Sequence, residues 1–305
     1  MPVKSGFVPV VGRPNVGKST LVNALVGRKV AITSSRPQTT RNAIRGVLTQ
    51  VEGGEPSAQV VFIDTPGLHK PRTELGNRLN GLVYGTLTEA DAVVFVIDAT
   101  APIGPGDRRI ADRLTEAGTE VIVVVNKVDA AGRDEVVSQL AEASVWDFAA
   151  YVPLSAVAGE NLALLVDEVV ARLPEGPLYF PPGEVTDQPE STLVAEIVRE
   201  KFLERLHEEL PHSLVVVTEE IETRDDGLVW IAARLIVERR SQRGIVIGKG
   251  GTLLRDAGTE ARHELEAIFG TKVHLDLRVR VEPDWQRTPA SLDRLGFEKG
   301  VGSDS

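Results

Sequence analysis

The chain has 305 residues, 42% apolar and 26% charged, with no cysteine and a formal net charge of −10. This composition excludes disorder and collagen-like repeats, leaves room for two domains, and rules out a disulfide framework, a thiolate zinc site or a cysteine nucleophile. The longest apolar runs fall far short of the roughly 20 residues of a membrane span, residues 1–11 lack a leader's apolar stretch, and the acidic total by itself argues against a nucleic-acid partner.

Residues 7–11, 60–63, 92–97, 121–125 and 150–154 are β-branched or apolar runs that alternate with helix-like stretches. Such runs predict a sheet buried on both faces, with mostly parallel strands and right-handed crossovers. Residues 43–51, joined to 58–63 through Gly53-Gly54 and Pro56, add one antiparallel strand and bring the expected sheet to six. Five prolines within 174–189 predict an extended, semi-rigid linker. Beyond it, Val194, Ile197, Val198 and Phe202 mark an amphipathic helix, and strand-like runs follow at 214–217 and 228–237. Leu254, Ala257, Ala261, Leu265 and Ile268 mark another helix, and 273–281 alternates cleanly as a last strand. This half reads as α+β, a three-stranded sheet with helices on one side.

The first strand runs into Gly12-Arg13-Pro14-Asn15-Val16-Gly17-Lys18-Ser19-Thr20, followed by the apolar helical face of Leu21, Val22, Ala24 and Leu25. Glycines let successive backbone N–H groups turn onto phosphate oxygens, and the helix N-terminus adds partial positive charge. Lys18 is placed to reach the outer phosphates and Ser19 to ligate Mg²⁺. Asp64-Thr65-Pro66-Gly67-Leu68 follows another strand, with Asp64 placed to hold Mg²⁺ through water and Gly67 N–H to meet the terminal phosphate. Asn126-Lys127-Val128-Asp129 sets the base: the Asp129 carboxylate can accept from both N1–H and the exocyclic amine of guanine, which adenine cannot offer. Asn126 and Lys127 brace the loop, and Ser155-Ala156-Val157 offers a backbone N–H to the guanine carbonyl.

These segments stand in the order of the translation-factor-related GTPases. The run from Gly12 to Ser19, then Arg36-Pro37-Gln38-Thr39-Thr40-Arg41, then Asp64 to His69, resembles the Era family of bacterial GTPases over essentially the whole chain. The resemblance implies a P-loop GTPase (G) domain over 1–173, the linker at 174–189, an α+β type II KH domain over 190–284 and a tail at 285–305. A switch threonine joins Ser19 on the metal; Thr40 is assigned and Thr39 competes. Leu68, where many small GTPases carry glutamine, cannot orient water, so turnover is slow or assisted. Asn15 resembles the position that holds a monovalent cation in some relatives, which implies K⁺ stimulation; loop capping by its side chain is the alternative. Lys18, Thr40 and Asn15 are thus the expected catalytic set.

Arg243, Ile245, Ile247, Gly248, Lys249, Gly250, Gly251, Leu254 and Arg255 form the expected RNA contacts around a Gly-x-x-Gly turn, which in KH domains clamps four nucleotides. Residues 181–305 hold 17 Lys plus Arg against 24 Asp plus Glu, yet 234–255 holds six against Glu238 alone, a local net of +5. Affinity follows the charges at the contact rather than the total. The acid of 196–222 and 256–266 is expected to face solvent or other partners, and Trp230 and Trp285 to pack rather than stack on bases. The family further implies GTP and GDP as ligands, binding near the 3′ end of 16S rRNA in 30S subunit assembly, a cytoplasmic monomer, and peripheral inner-membrane association. The rival readings are a non-hydrolysing GTP-gated RNA chaperone and a membrane-signalling GTPase without RNA binding.

Overall fold

A computed structural model describes residues 3–34, 36, 39–68, 71, 73–208 and 210–297. Pro37, Gln38, His69 and tail residues 298–305 lie outside the described residues.

The N-terminal half alternates as the apolar runs require. Its elements are β1 (Lys4–Val11), α1 (Lys18–Val26), β2 (Ile44–Glu52), β3 (Glu55–Asp64), α2 (Glu74–Thr88), β4 (Val93–Asp98), α3 (Pro105–Ala117), β5 (Val121–Asn126), α4 (Arg133–Ala143), β6 (Ala150–Leu154) and α5 (Leu162–Arg172). They build a six-stranded sheet in the order β2-β3-β1-β4-β5-β6. Only β2 runs antiparallel, against β3. The central strands β4 and β5 are apolar up to their last residues, Asp98 and Asn126, because both faces are covered. Val94, Val96, Ile122 and Val124 pack with Leu21 and Leu25 of α1 and Leu165 of α5. Val93, Phe95, Val121 and Val123 face the other way, onto Ile110 and Leu114 of α3. Parallel strands bring the loops after β1, β3, β5 and β6 to one edge, where open sheets of this kind gather ligands.

The proline-rich stretch is held against this sheet rather than spanning free. Ser5 N–H donates to Pro174 O at 3.0 Å and Val47 N–H to Val185 O at 2.9 Å, while the Gln59 carboxamide takes the N–H groups of Tyr179 and Phe180 and donates to Phe180 O.

Beyond it come α6 (Glu190–Leu203), α7 (Leu210–Ser213), β7 (Val215–Thr223), β8 (Val229–Val237), α8 (Arg240–Ile247), α9 (Thr252–Phe269), β9 (Val273–Val281) and α10 (Pro289–Arg294). β7 and β8 pair antiparallel, β8 and β9 parallel. Ile231, Ala233, Leu235 and Val237 of β8 pack on α6, α8 and α9 through Ile197, Phe202, Val246, Ala257 and Leu265. The opposite face is not wholly open, contrary to the expected one-sided arrangement. Val215 and Ile236 meet Leu75 and Leu79 of α2, together with Trp285, Leu292 and Phe297. The segment read as a tail therefore packs, as far as Phe297, between α2 and the β7–β8 face. Trp285 is fully buried, stacked on Phe297 with centroids 5.7 Å apart. The apolar Leu292 and Phe297, five residues apart in a short polar stretch, are what draw it inward.

Candidate functional site

The first loop closes around Lys18. Gly17 precedes α1 with φ of 96°, and a Cβ there would lie 2.3 Å from Asn126 Nδ2, so only glycine lets the two loops meet. The Lys18 ammonium is buried and donates to Gly12 O (3.2 Å) and Arg13 O (2.9 Å). Burial drives its pKa down to about 8, with the Asp64 charge opposing. Arg13 turns its side chain out of the loop onto the buried Asp107 of α3 (2.8 Å). It contributes backbone alone.

Three oxygens converge beneath this loop. Ser19 Oγ donates to Asp64 Oδ2 at 2.6 Å and lies 2.9 Å from Thr40 Oγ1, which itself lies 3.1 Å from Asp64 Oδ2. Asp64 is fully buried, and burial pushes its pKa up to about 6 despite hydrogen bonds from Ser19 and Thr40 and the nearby Lys18 charge. Its other oxygen, Oδ1, is buried with no hydrogen-bond partner. An unsatisfied carboxylate oxygen beside two hydroxyls is a donor set suited to a small hard cation that keeps several waters. Among the described residues no cluster of three His, Cys, Asp or Glu could hold a metal; this site has a single carboxylate. Thr39 points elsewhere: its hydroxyl donates to Arg36 O at 2.7 Å, and its carbonyl accepts from Arg199 Nη2.

The loops after β5 and β6 lock onto the first loop. Asn126 Nδ2 donates to Val16 O (2.9 Å), its Oδ1 accepts from Ala156 N–H (3.1 Å), and Lys127 Nζ reaches Asn15 O (2.7 Å) and Asp98 (2.6 Å). Ser155 Oγ donates to Asp129 Oδ1 at 2.5 Å, fixing a carboxylate that is otherwise exposed. Val128 N–H bonds Leu154 O, and Val157 stands exposed. Thr65 ties β3 to β1 through Val10 O (2.7 Å), Pro66 and Gly67 are buried, and Leu68 N–H donates to Gly12 O while its side chain packs on the core of α3. A cavity of about 460 Å³ opens over this floor, lined by Asn15, Lys18, Ser19, Thr20, Thr40 and Gly67, among others. Asn15 adopts φ of 66° at its rim.

The second candidate lies in the other half. α8 ends at Gly248, whose φ of 76° and a Cβ position 2.8 Å from Leu253 N exclude any other residue without strain. α9 begins after Gly251, so the turn joins two helices as expected. Lys249 and Gly250 are exposed, and Ile245 is 54% exposed although apolar. Val246 between them is buried, and Ile247 and Leu254 are half-buried. Arg243 extends over β9 to Val279 O at 3.3 Å. The local +5 is smaller than the count, because Arg234 pairs with Glu219 from outside that stretch and Arg255 lies 3.4 Å from Asp256.

Residues 7–127 match the family described as 50S ribosome-binding GTPase, and residues 209–286 match the KH domain family. GTPase Era of Mycobacterium tuberculosis (strain H37Rv) is 52% identical over 300 residues, covering 96% of this chain and 98% of the relative. The chain belongs to the Era family of GTPases. Two solved Era structures superpose with TM-scores of 0.91. One, in complex with MgGDPNP and nucleotides 1506–1542 of 16S ribosomal RNA, is 40% identical and covers 97% of this chain and 99% of that one. The other, an Aquifex aeolicus Era variant bound to GDP and aluminium fluoride, is 39% identical, with 96% and 99% covered.

In this Era-family chain several residues that join the site to the KH half carry no motif signal. Lys29, just after α1, donates to Glu200 (2.6 Å) and Glu264 (2.5 Å), and Glu200 also accepts from Thr33 N–H at 2.9 Å. Of the acid expected to face solvent or other partners, Glu196, Glu200 and Glu264 lie in the junction, while Glu204, Glu219, Glu220, Glu222, Asp256 and Glu260 are exposed. Burial pushes the Glu264 carboxyl up, but hydrogen bonds from Lys201 and Lys29 outweigh it and hold the group below its ordinary range. Arg41, buried, donates to Leu214 O, Pro211 O and His212 O. Only the periodicity of α6, apolar on one side with Arg199 and Glu200 interrupting it, hinted that this helix meets a second polar partner.

Proposed function

We propose that this chain is a GTP-hydrolysing switch whose nucleotide state governs RNA binding by its KH half, near the 3′ end of 16S rRNA during 30S subunit assembly. The observation that carries the nucleotide reading is the convergence of Ser19 Oγ, Thr40 Oγ1 and the buried Asp64 beside the Lys18 ammonium. Ser19 and Thr40 would hold Mg²⁺ directly and Asp64 through water, and the orientation of Thr39 toward Arg36 favours Thr40 as the switch threonine. Bound there, Mg²⁺ would neutralise charge on the outer phosphates. Lys18 supplies a second positive charge, and the N–H groups from Gly12 to Thr20 cradle the phosphates. Asp129 reads guanine, held in place by Ser155. With Leu68 packed on the core, no side chain at that position orients water. We therefore assign K⁺ at Asn15 the supporting charge; equal turnover in K⁺ and Na⁺ buffers would remove that assignment.

The RNA reading rests on the Gly248–Gly251 turn, exposed at Lys249 and Gly250, with the exposed Ile245 and the half-buried Ile247 and Leu254 lining the groove, and Arg243, Lys249 and Arg255 for phosphate. The solved Era complex with 16S RNA makes that RNA the target to test first. We place the functional division at 174–189. On the family resemblance we place the chain in the cytoplasm as a monomer, with peripheral contact at the inner membrane; no helix of the described residues is long and apolar enough to cross it. The test is crosslinking of the protein to total RNA with GTP, GDP or neither. Capture of the 3′ end of 16S rRNA that depends on GTP is expected. Phosphate release no faster than that of Lys18→Ala would favour a non-hydrolysing chaperone.

A further inference from the structure

Behind the switch segment lies a second cavity, of about 150 Å³, that the nucleotide reading does not use. Its walls come from both halves: Arg41 and Asn42 from the switch side, Thr192, Glu196 and Arg199 from α6, and Thr218 within β7. Arg41 is 3% exposed and Arg199 1%. The Arg41 Nη atoms are taken by the carbonyls of Leu214, Pro211 and His212, but its Nε is buried without a partner. Arg199 spends Nε and Nη2 on Glu196 and Thr39 O, but its Nη1 is likewise buried and unpartnered. The Asn42 carboxamide oxygen is a buried acceptor with no donor.

Two guanidiniums against one carboxylate leave this small space with surplus positive charge. Unsatisfied buried donors are costly enough to need a ligand. The free acceptor on Asn42 narrows the choice of anion. Sulfate offers acceptor oxygens only, whereas hydrogen phosphate offers acceptors for the two N–H groups and an O–H for Asn42. The Ser191 and Thr192 hydroxyls at the same wall can serve either ion.

We propose that this junction cavity is a binding site for free hydrogen phosphate, held by Arg41 Nε, Arg199 Nη1 and Asn42 Oδ1. Arg199 also holds the Thr39 carbonyl, so the anion would tie the switch segment to α6 and stiffen the join between the two halves. Inorganic phosphate is also what GTP hydrolysis releases, so the site would let product concentration act on that join.

The test is calorimetric titration of inorganic phosphate into full-length protein saturated with GDP and Mg²⁺, at matched ionic strength. One saturable site per chain is expected, with sulfate weaker by about tenfold, the worth of one hydrogen bond to a buried group. Arg199→Gln should weaken phosphate by about tenfold or more. Thr192→Glu, at a half-buried position, places a carboxylate in the cavity and should abolish phosphate binding while leaving GTP turnover unchanged, which keeps the proposal testable if Arg199→Gln does not fold. Absence of saturable binding, equal affinity for sulfate, undiminished binding in Thr192→Glu, or equal binding of phenyl phosphate would each overturn the assignment of a free hydrogen phosphate.

Discussion

The loop at residues 12–19 and the turn at residues 248–251 both carry glycines and one lysine, which we assign to phosphate, but they are built in opposite ways. Lys18 is 6% exposed, with two backbone carbonyls and Asp64 around it, whereas Lys249 stands in solvent. A buried ammonium fixes its ligand to within fractions of an ångström and loses its function with small displacements. An exposed one acts through counterion release, adds roughly uniformly, and weakens with salt. On the proposed function, the same residue types would thus give a specific, rigid site in one half and a graded, salt-sensitive one in the other.

The sharpest way to break that contrast is at the base. Asp129→Asn keeps an acceptor for Ser155 Oγ but replaces one carboxylate oxygen with an amide N–H donor. Guanine then faces donor against donor, while xanthine, with a carbonyl at that carbon, is matched. A change in GTP-over-XTP preference on the order of 10⁴ is expected, as for other sites built to hydrogen-bond their substrate. Competition between labelled GTP and XTP measures it, and unchanged preference would remove Asp129 from the base site.

At the turn the effect should be smaller and spread over salt. Gly248→Asp with Gly251→Asp adds two charges and forces strain at φ of 76° and 77°. RNA affinity should fall by about 10², while GTP turnover without RNA stays unchanged. Lys249→Ala alone should reduce the salt slope by about 1 with no change in sequence preference. Fluorescence anisotropy at several salt concentrations reads both. An unchanged slope would mean that the turn does not touch phosphate.

The buried lysine makes its own prediction about pH. Burial holds Lys18 down to about 8 in the nucleotide-free protein, and a bound triphosphate favours the ammonium. Nucleotide binding above pH 8 must therefore take up a proton. Affinity should be flat below about pH 8 and then fall toward tenfold per pH unit. Calorimetry at about pH 8.5 in two buffers of different ionisation enthalpy detects the uptake, and none should occur at about pH 7. Lys249, exposed, gives RNA binding no such step.

The legible part of this molecule is the part governed by local rules. Strands buried on both faces write themselves as unbroken apolar runs, so the six-stranded sheet and its one antiparallel member followed from residues 7–154. The phosphate loop was legible because strand, glycines, Lys18 and helix are contiguous. Thr40 could not be separated from Thr39, because the Thr40 hydroxyl is directed by Ser19 and Asp64 and the Thr39 carbonyl is held by Arg199, 160 residues away. The junction was invisible for the same reason. Glu200 and Lys29 look like solvated charges until α6 is laid against the segment that follows α1. The role of residues 285–297 was missed because a short polar stretch with one Trp and one Phe resembles a tail unless a groove awaits it.

That junction gives the smallest of the expected effects. Lys29 bridges Glu200, only 4% exposed at its side chain, and Glu264, while Lys201 lies 3.0 Å and 2.5 Å from the same two carboxylates. Removing one cation leaves two carboxylates sharing the other. Because Lys29 is itself 29% exposed, solvent screens part of the loss. Lys29→Met should cost about 1–2 kcal/mol, well below the full penalty of a bare buried charge. Adding Glu200→Gln should return part of it, since the orphaned charge is then gone while the amide oxygen still accepts from Thr33 N–H. A double-mutant cycle by chemical denaturation measures the coupling. Strict additivity would mean that the two halves are held together by the apolar contacts around Trp285 and not by this network.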